Sequence, residues 1–182
     1  MKKVYLFISL AVFVGFMFQS CSKDNDVFQL LPAANVLLTD GDSAIDEINM
    51  GTVAGTKTDN LLLITGTQLL GDNGKKLLVY VKENSDGSYP VNISANSLLS
   101  FNIGNINSST VIYYVSKEEY YLLVNGEITL SNTEQKMMSG TFSGKVIPAH
   151  DLVSGVSLET ILTLYDGNMA IEGDFRAYSI KF

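Results

Sequence analysis

The C-terminal third of this chain alternates between apolar and polar residues, and this pattern restricts it to antiparallel β-strands. In segment 120–130 the apolar side chains fall on even positions, at Tyr120, Leu122, Val124, Ile128 and Leu130. A period of two puts one set of side chains into a core and leaves the other set in water. Because the same parity holds on both sides of Asn125-Gly126, we predict one long strand with a β-bulge there, and not a hairpin.

Three later segments alternate in the same way and complete a predicted four-stranded antiparallel meander. Their apolar positions are Met138, Phe142 and Val146, then Val156, Leu158, Leu162 and Leu164, and finally Met169, Ile171, Phe175 and Ala177. No segment after the N-terminal 26 residues has a useful helical period.

Upstream of the meander, the β-rich segments 60–68 and 76–82 flank a turn that contains Asn73-Gly74. This turn predicts a hairpin because Asn and Gly tolerate positive φ. Pro90 restricts its short segment to a sheet edge because proline cannot donate to a strand ladder. Segments 98–106 and 110–115 are further predicted strands, and a helical turn over 94–100 is the alternative for the first.

These strands predict a single antiparallel all-β domain of eight to ten strands over residues 45–182. A two-sheet sandwich is the preferred arrangement, and a closed calycin-like barrel is the alternative because meander connections suit both. The apolar pieces at 28–32 and 36–38 are expected to lie against this domain.

The N-terminus predicts the location of the domain. Lys2 and Lys3 precede an uncharged apolar run of 15 residues, 4–18. That run is shorter than the roughly 20 residues that a membrane-spanning helix needs. Residues 1–20 are therefore predicted to be a secretory signal peptide.

Cys21 is the only cysteine of the chain. Residues 18–21, Phe-Gln-Ser-Cys, resemble the bacterial lipobox, whose cysteine is acylated; the first two depart from its usual pattern as in many Bacteroidetes lipoboxes. An unpaired thiol is otherwise unfavourable in a secreted protein. We therefore predict lipidation of Cys21, a tether over 21–44, and attachment to the outer membrane on its periplasmic or cell-surface face.

The residues after Cys21 suggest export to the cell surface. Ser22, Lys23, Asp24 and Asp26 resemble the acidic surface-export signal of Bacteroidetes lipoproteins, although Asn25 interrupts the acidic pair. The whole chain has 12 basic and 19 acidic residues, a net charge of −7, and loss of Lys2 and Lys3 with the signal makes it −9. This charge argues against a nucleic-acid partner and against attachment of the domain to anionic lipid heads.

Three C-terminal motifs carry a resemblance to a known family. The run Met138-Ser-Gly-Thr-Phe-Ser-Gly144 follows Gly126-Glu-Ile-Thr-Leu130 and precedes Asp166-Gly-Asn-Met-Ala-Ile-Glu-Gly-Asp-Phe175. Over residues 45–182 this pattern resembles a family of uncharacterised Bacteroidetes lipoproteins. The chain has Gly144 where the family often has Phe. The resemblance implies an all-β domain behind a lipoprotein signal, and it brings no assigned activity or catalytic residue.

Few residues suggest catalysis. The one histidine, His150, stands beside Asp151 in a predicted loop, and no G-x-S-x-G elbow occurs. Glu159, Glu172 and Asp174 are placed on neighbouring predicted strands and could meet, but we interpret them as the wet face of a sheet. We predict no enzyme activity, no cofactor and no metal site.

An acidic cluster surrounds Gly41 and is interpreted as a solvated turn. Asp40, Asp42, Asp46 and Glu47 do not have the spacing of an EF-hand calcium loop. Within it, Asp42-Ser43-Ala44 fits the O-glycosylation pattern of Bacteroidetes secreted proteins, which makes Ser43 a candidate acceptor.

Four tyrosines form a candidate ligand platform around the turn 116–119: Tyr113, Tyr114, Tyr120 and Tyr121. The alternative is that one tyrosine of each pair packs in the core while the other covers a strand. The preferred function is a non-catalytic envelope module that binds a protein or glycan. The alternatives are a barrel that carries a small apolar ligand and, less favoured, an envelope hydrolase.

Overall fold

A computed structural model of the chain describes residues 31–58, 61–68, 74–83, 85–102, 106, 108–152 and 156–181. These residues form ten strands: β1 Ala33–Asp40, β2 Ser43–Met50, β3 Thr52–Thr58, β4 Leu61–Thr67, β5 Lys76–Val81, β6 Gly87–Asn92, β7 Thr110–Tyr114, β8 Tyr120–Ser131, β9 Met137–Pro148 and β10 Met169–Lys181. They also form two short α-helices, α1 Ala95–Leu98 and α2 Leu158–Asp166, and a 3₁₀ turn, Ala149–Asp151. The predicted antiparallel all-β fold is confirmed.

The strands pair in the order β2-β1-β10-β3-β4-β5-β7-β8-β6, and β9 pairs with both β10 and β8. The β10–β3 pairing is parallel and the others are antiparallel. The long strand β10 changes partner along one edge, from β1 over Met169–Arg176 to β3 over Tyr178–Lys181. Likewise, β8 pairs first with β7 and then with β6.

The β1–β2 hairpin packs against strands with which it does not pair. Asp46 of β2 contacts Tyr113 of β7 and Lys75 immediately before β5. Met50 of β2 lies against Gly66 of β4, because a Cβ added to Gly66 would come within 3.0 Å of the Met50 Sδ. The ten strands therefore form one sheet that curves around the core: β9 pairs with both β10 and β8, and the β1–β2 hairpin contacts β4, β7 and the start of β5. This arrangement is consistent with the predicted sandwich.

Several local predictions are confirmed. Strands β4 and β5 form the predicted antiparallel hairpin. Among the described strands, β6, which contains Pro90, stands at one end of the sheet and pairs only with β8. Strand β8 is one long strand with a bulge, as predicted, but the bulge lies between Leu123 and Asn125, directly before the predicted Asn125-Gly126 position.

The predicted boundary between tether and domain at residue 45 is wrong. Strand β1 lies in the predicted tether, yet it pairs with β10 along its whole length. Its side chains alternate between buried and outward positions, with Ala34, Val36 and Leu38 in the core. Burial of these apolar side chains holds the segment in the sheet.

The predicted strand over 156–164 is also wrong, because this segment forms α2. Ser157 begins the helix by accepting a hydrogen bond from the Thr160 amide at 3.2 Å. Ile161 is its buried residue. The meander therefore has three strands, β8, β9 and β10.

The predicted strand over 98–106 is wrong for the residues that the structure describes there. Residues 98–102 and 106 form no strand, and Leu98 is the last residue of α1. Ser94 caps α1, so the alternative of a helical turn is confirmed.

The quoted motifs have a structural explanation in two reciprocal Phe–Gly pairs between β9 and β10. Phe142 stands opposite Gly173, and Phe175 stands opposite Gly140. Both rings are buried, and each lies so close to the opposite glycine that a Cβ there would be 2.5 Å from the ring Cζ. Glycine leaves room for an aromatic ring to lie flat against the neighbouring strand. The G-x-F spacing therefore serves packing.

Candidate functional site

The outward face of β2, β1, β10 and β9 carries an open groove of about 850 Å³. Its polar lining residues are Asn35, Glu47, Asn49, Thr141, Ser143, Glu172 and Asp174. They lie on one face because residues two apart on a strand point to the same side. The strand pairing aligns them in two rows that cross the sheet.

The first row is linked by side-chain hydrogen bonds. The Asn49 Nδ2 donates to the Asn35 Oδ1 at 2.6 Å, and the Asn35 Nδ2 donates to the Asp174 carboxylate at 3.0 and 3.2 Å. Thr141 stands opposite Asp174 on β9 and ends the row. These bonds orient the amides and the carboxylate before any ligand arrives.

The second row is more acidic. Leu37 stands between Glu47 of β2 and Glu172 of β10, and Ser143 of β9 follows Glu172. With Asp174 in the first row, the described lining has three carboxylates and no Lys, Arg or His. The groove therefore suits ligands that donate hydrogen bonds or carry positive charge, and it disfavours phosphates and other anions.

Of the three carboxylates that could have met on neighbouring strands, only two lie together. Glu172 and Asp174 occupy the same face of β10 and line the groove. Glu159 lies in the first turn of α2 instead and is exposed. Its predicted place beside the other two is wrong because segment 156–164 is not a strand.

The four candidate tyrosines do not form one platform. Tyr113 and Tyr121 are opposite each other and buried, whereas Tyr114 and Tyr120 are half-buried and stack at 5.2 Å between ring centroids. This matches the alternative in which one tyrosine of each pair packs in the core. Burial raises the pKa of Tyr114, and electrostatic interaction with the neighbouring Tyr120 and Tyr80 raises it further.

His150 packs edge-on against Tyr120 and Tyr121, with centroid distances of 6.2 and 6.0 Å. Its Nδ1 lies 3.3 Å from the Tyr120 carbonyl oxygen, while its Nε2 is 3.6 Å from Asp151. The second distance is longer than a hydrogen bond. These contacts are those of a packed side chain. Nearby, burial raises the pKa of Tyr121, and so does the hydrogen bond of 2.6 Å that the Tyr121 hydroxyl donates to Glu119.

Asp46 has a role that the sequence did not suggest. Its carboxylate accepts a hydrogen bond of 2.7 Å from the Tyr113 hydroxyl and forms an ion pair with Lys75. The Asp46 and Lys75 side chains are only 12% and 23% exposed. Burial raises the pKa of Tyr113, and the hydrogen bond to Asp46 raises it further. Asp46 therefore joins β2 to β7 and to the start of β5, and it is not part of the solvated turn around Gly41.

The remaining candidate residues are distributed as follows. Ser43 is the first residue of β2 and is exposed, as glycosylation would require. Cys21, Ser22, Lys23, Asp24 and Asp26 lie outside the described residues.

Over the described ranges, no three His, Cys, Asp or Glu residues gather closely enough to hold a metal ion. No helix there has the length and apolar character needed to cross a bilayer.

Comparison of the chain with known proteins gives no match to a family model, to a curated protein or to a solved structure.

Proposed function

We propose that this protein is a lipid-anchored module of the bacterial cell envelope that binds a ligand or partner without catalysing a reaction on it. The observation that carries the binding part is the open polar groove over β2, β1, β10 and β9. The anchor part rests on the N-terminal sequence, in which an apolar run of 15 residues precedes the lone Cys21. Attachment to the outer membrane, and the likeness to Bacteroidetes lipoproteins, belong to the same proposal.

The construction of the groove favours binding. Its volume of about 850 Å³ lies within the range of roughly 300–1,000 Å³ that is common for ligand sites. Its side chains stand on paired strands, and Asn35 is fixed from both sides by Asn49 and Asp174. A ligand would therefore meet groups whose rotamer entropy is already lost, which lowers the free-energy cost of binding.

The lining also defines the class of ligand. Carboxylate oxygens and amide oxygens accept hydrogen bonds, and the Thr141 and Ser143 hydroxyls can donate or accept them. Sugar hydroxyls, and the amides or ammonium groups of a peptide, fit this set. The polar lining side chains are amides, hydroxyls and carboxylates, which can fix such a ligand by hydrogen bonds alone.

The binding part predicts that ligands perturb the groove and leave the tyrosine cluster unchanged. In a ¹⁵N-HSQC titration with neutral oligosaccharides and a lysine-rich peptide, at least one probe should shift the Asn35 and Asn49 side-chain amides. Asn49→Ala should then weaken the binding of that probe about fivefold, because one lost hydrogen bond contributes about 1 kcal/mol. Tyr114→Phe, on the stacked tyrosine pair, is the control and should leave affinity unchanged.

Two results would contradict the binding proposal. Shifts centred on Tyr114, Tyr120 and His150 would move the site to the aromatic cluster. If the protein hydrolysed an oligosaccharide and Glu172→Gln abolished that activity, the groove would be a catalytic site and not a non-catalytic binding site.

The anchor part predicts that Cys21 carries the lipid. Labelled palmitate should enter the wild-type protein and not Cys21→Ala, and the variant should leave the membrane fraction. Acyl chains contribute about 0.8 kcal/mol of membrane-binding free energy for each buried CH₂, so the variant should lose membrane attachment almost completely. Ser43→Ala, an exposed serine variant outside the signal, should stay in the membrane fraction. Full membrane attachment of Cys21→Ala would refute the anchor.

A further inference from the structure

In the second row of the groove, an apolar side chain stands between two carboxylates. Leu37 of β1 is the cross-strand neighbour of Glu47 on β2 and of Glu172 on β10, and all three line the groove. Neighbouring strands lie about 4.8 Å apart, so the backbones of the two glutamates are about 10 Å apart. Both carboxylates can therefore reach a group placed above the apolar side chain. We call Leu37, Glu47 and Glu172 the Leu37 site.

The two carboxylates of this site have no side-chain partner among the residues that the structure describes. The ion pairs and side-chain hydrogen bonds found there involve other groups. Asp174, the third carboxylate of the groove, differs because it accepts hydrogen bonds from Asn35. Two like charges so close together repel each other, and a cation placed between them would remove that repulsion.

The nearest basic residues on the strands of the groove are engaged elsewhere. Strands β1 and β2 contain no Lys, Arg or His. On β10, Arg176 is four residues from Glu172, about 13 Å at 3.3 Å per residue, and it already interacts within the fold. On β9, the Lys145 ammonium lies 5.8 Å from the centre of the Tyr165 ring. Neither is among the described residues that line the groove, so the counter-charge is left for a ligand to supply.

The spacing of the two rows matches an extended peptide. The first row, which contains Asn35 and Asp174, stands two residues away from the second on each strand, a distance of about 6.6 Å. An extended peptide projects its side chains i and i+2 to one side at the same spacing. One side chain can therefore enter the Leu37 site while the next but one meets the first row. A small amine would fill only part of the 850 Å³.

We propose that the groove binds an extended segment of a partner protein by holding a lysine or arginine side chain at the Leu37 site. The inference rests on the proposed binding function and names the class of its ligand. The stem of the basic side chain lies along Leu37, and its charged end lies between Glu47 and Glu172. A neutral sugar fits less well, because it would displace water from two carboxylates without supplying a counter-charge. The net charge of −7 attracts a basic segment from a distance.

The test titrates the full lipidated chain, in a neutral detergent, with the blocked peptide acetyl-Thr-Ala-Lys-Ala-Thr-amide. Threonines on both sides of the lysine allow either direction of binding, and ¹⁵N-HSQC spectra report the position and the affinity. The side-chain amides of Asn35 and Asn49 should shift. Replacing the lysine with acetyl-lysine keeps the stem and removes the charge, so affinity should fall about tenfold, because hydrogen bonds between charged groups are the stronger ones.

Two matched variants test the Leu37 site itself. Glu172→Gln and Glu118→Gln each remove one exposed carboxylate, but Glu118 lies in the β7–β8 turn, outside the groove. Glu172→Gln should weaken binding of the lysine peptide about fivefold and leave that of the acetyl-lysine peptide unchanged. Glu118→Gln should change neither. Leu37→Thr should weaken both peptides, since both place a stem on this residue.

The contrary results separate this inference from the proposed function. Equal weakening by the two glutamine variants would reduce the interaction to attraction by net charge and overturn the Leu37 site. Groove shifts with a neutral oligosaccharide but not with the lysine peptide would overturn the peptide ligand and leave the groove a binding site. Spermidine that binds as tightly as the peptide would assign the site to small amines. Absence of groove shifts with every probe would overturn both proposals.

Discussion

Gly173→Ala should lower the free energy of unfolding by about 3 kcal/mol, a large loss for the addition of one methyl group. The added Cβ would overlap the backbone oxygen of Asn35 and would lie 2.5 Å from the Phe142 Cζ. Neither neighbour can move freely, since Asn35 pairs with β2 and β10 and the Phe142 ring is buried. Urea denaturation followed by circular dichroism measures the change.

The chain offers a matched control for this substitution. Gly51, between β2 and β3, has no atom within 4 Å of an added Cβ and has no positive φ. Gly51→Ala should therefore leave stability unchanged or raise it by a few tenths of a kcal/mol, because alanine has less conformational freedom in the unfolded chain. A comparable loss at both glycines would show that the Phe–Gly pair is not the cause.

A double-mutant cycle isolates the contribution of the ring. Phe142→Leu alone leaves a partly empty space opposite Gly173 and should also destabilise the protein. If the ring lies over the glycine, the cost of Gly173→Ala should be smaller in the Phe142→Leu background. Additive losses would place the whole effect at the Asn35 backbone.

Alternation in the sequence predicts a strand well when one of its faces is wet, as in β8, β9 and β10. It predicts β1 poorly because Leu37, an apolar residue, occupies an outward position between Glu47 and Glu172. It fails for α2, where Leu158, Leu162 and Leu164 satisfy a period of two by coincidence. The Ser157 cap and the helical spacing of Leu158, Ile161, Leu162 and Tyr165 were the signals that could have identified the helix.

The groove could not be predicted, since its residues come together only through long-range strand pairing. Asn35 and Asp174 share a hydrogen bond across 139 positions of the sequence. Local patterns can show that each residue points outward, but they do not show that β1 lies beside β10. The same limit applies to Asp46, whose partner Tyr113 is 67 positions away.

Asp46→Ala should lower the free energy of unfolding by about 3 kcal/mol, because it leaves the Tyr113 hydroxyl and the Lys75 ammonium without their shared partner. Glu47→Ala is the matched control: Glu47 is the next residue, points outward and is exposed. Its effect should stay within about 0.5 kcal/mol. Equal effects at the two positions would refute the structural role of Asp46.

Tyr113→Phe tests the same contact through its pH dependence. Because the pKa of Tyr113 is raised in the fold, its stabilisation is complete below about pH 10, the ordinary tyrosine pKa. Above that pH the unfolded phenol ionises while the folded one keeps its proton. Stability should then fall by about 1.4 kcal/mol for each pH unit per tyrosine until the folded phenol ionises as well.

Tyr121 also has a raised pKa, so alkaline destabilisation should persist in Tyr113→Phe with a smaller slope. Urea midpoints measured on both sides of about pH 10 give the two slopes. An unchanged slope would mean that the Tyr113 hydroxyl titrates normally and does not lie buried against Asp46. A reduced slope, together with coupling between Asp46→Ala and Tyr113→Phe, would show that this hydrogen bond joins β2 to β7, because two independent sites would give additive losses.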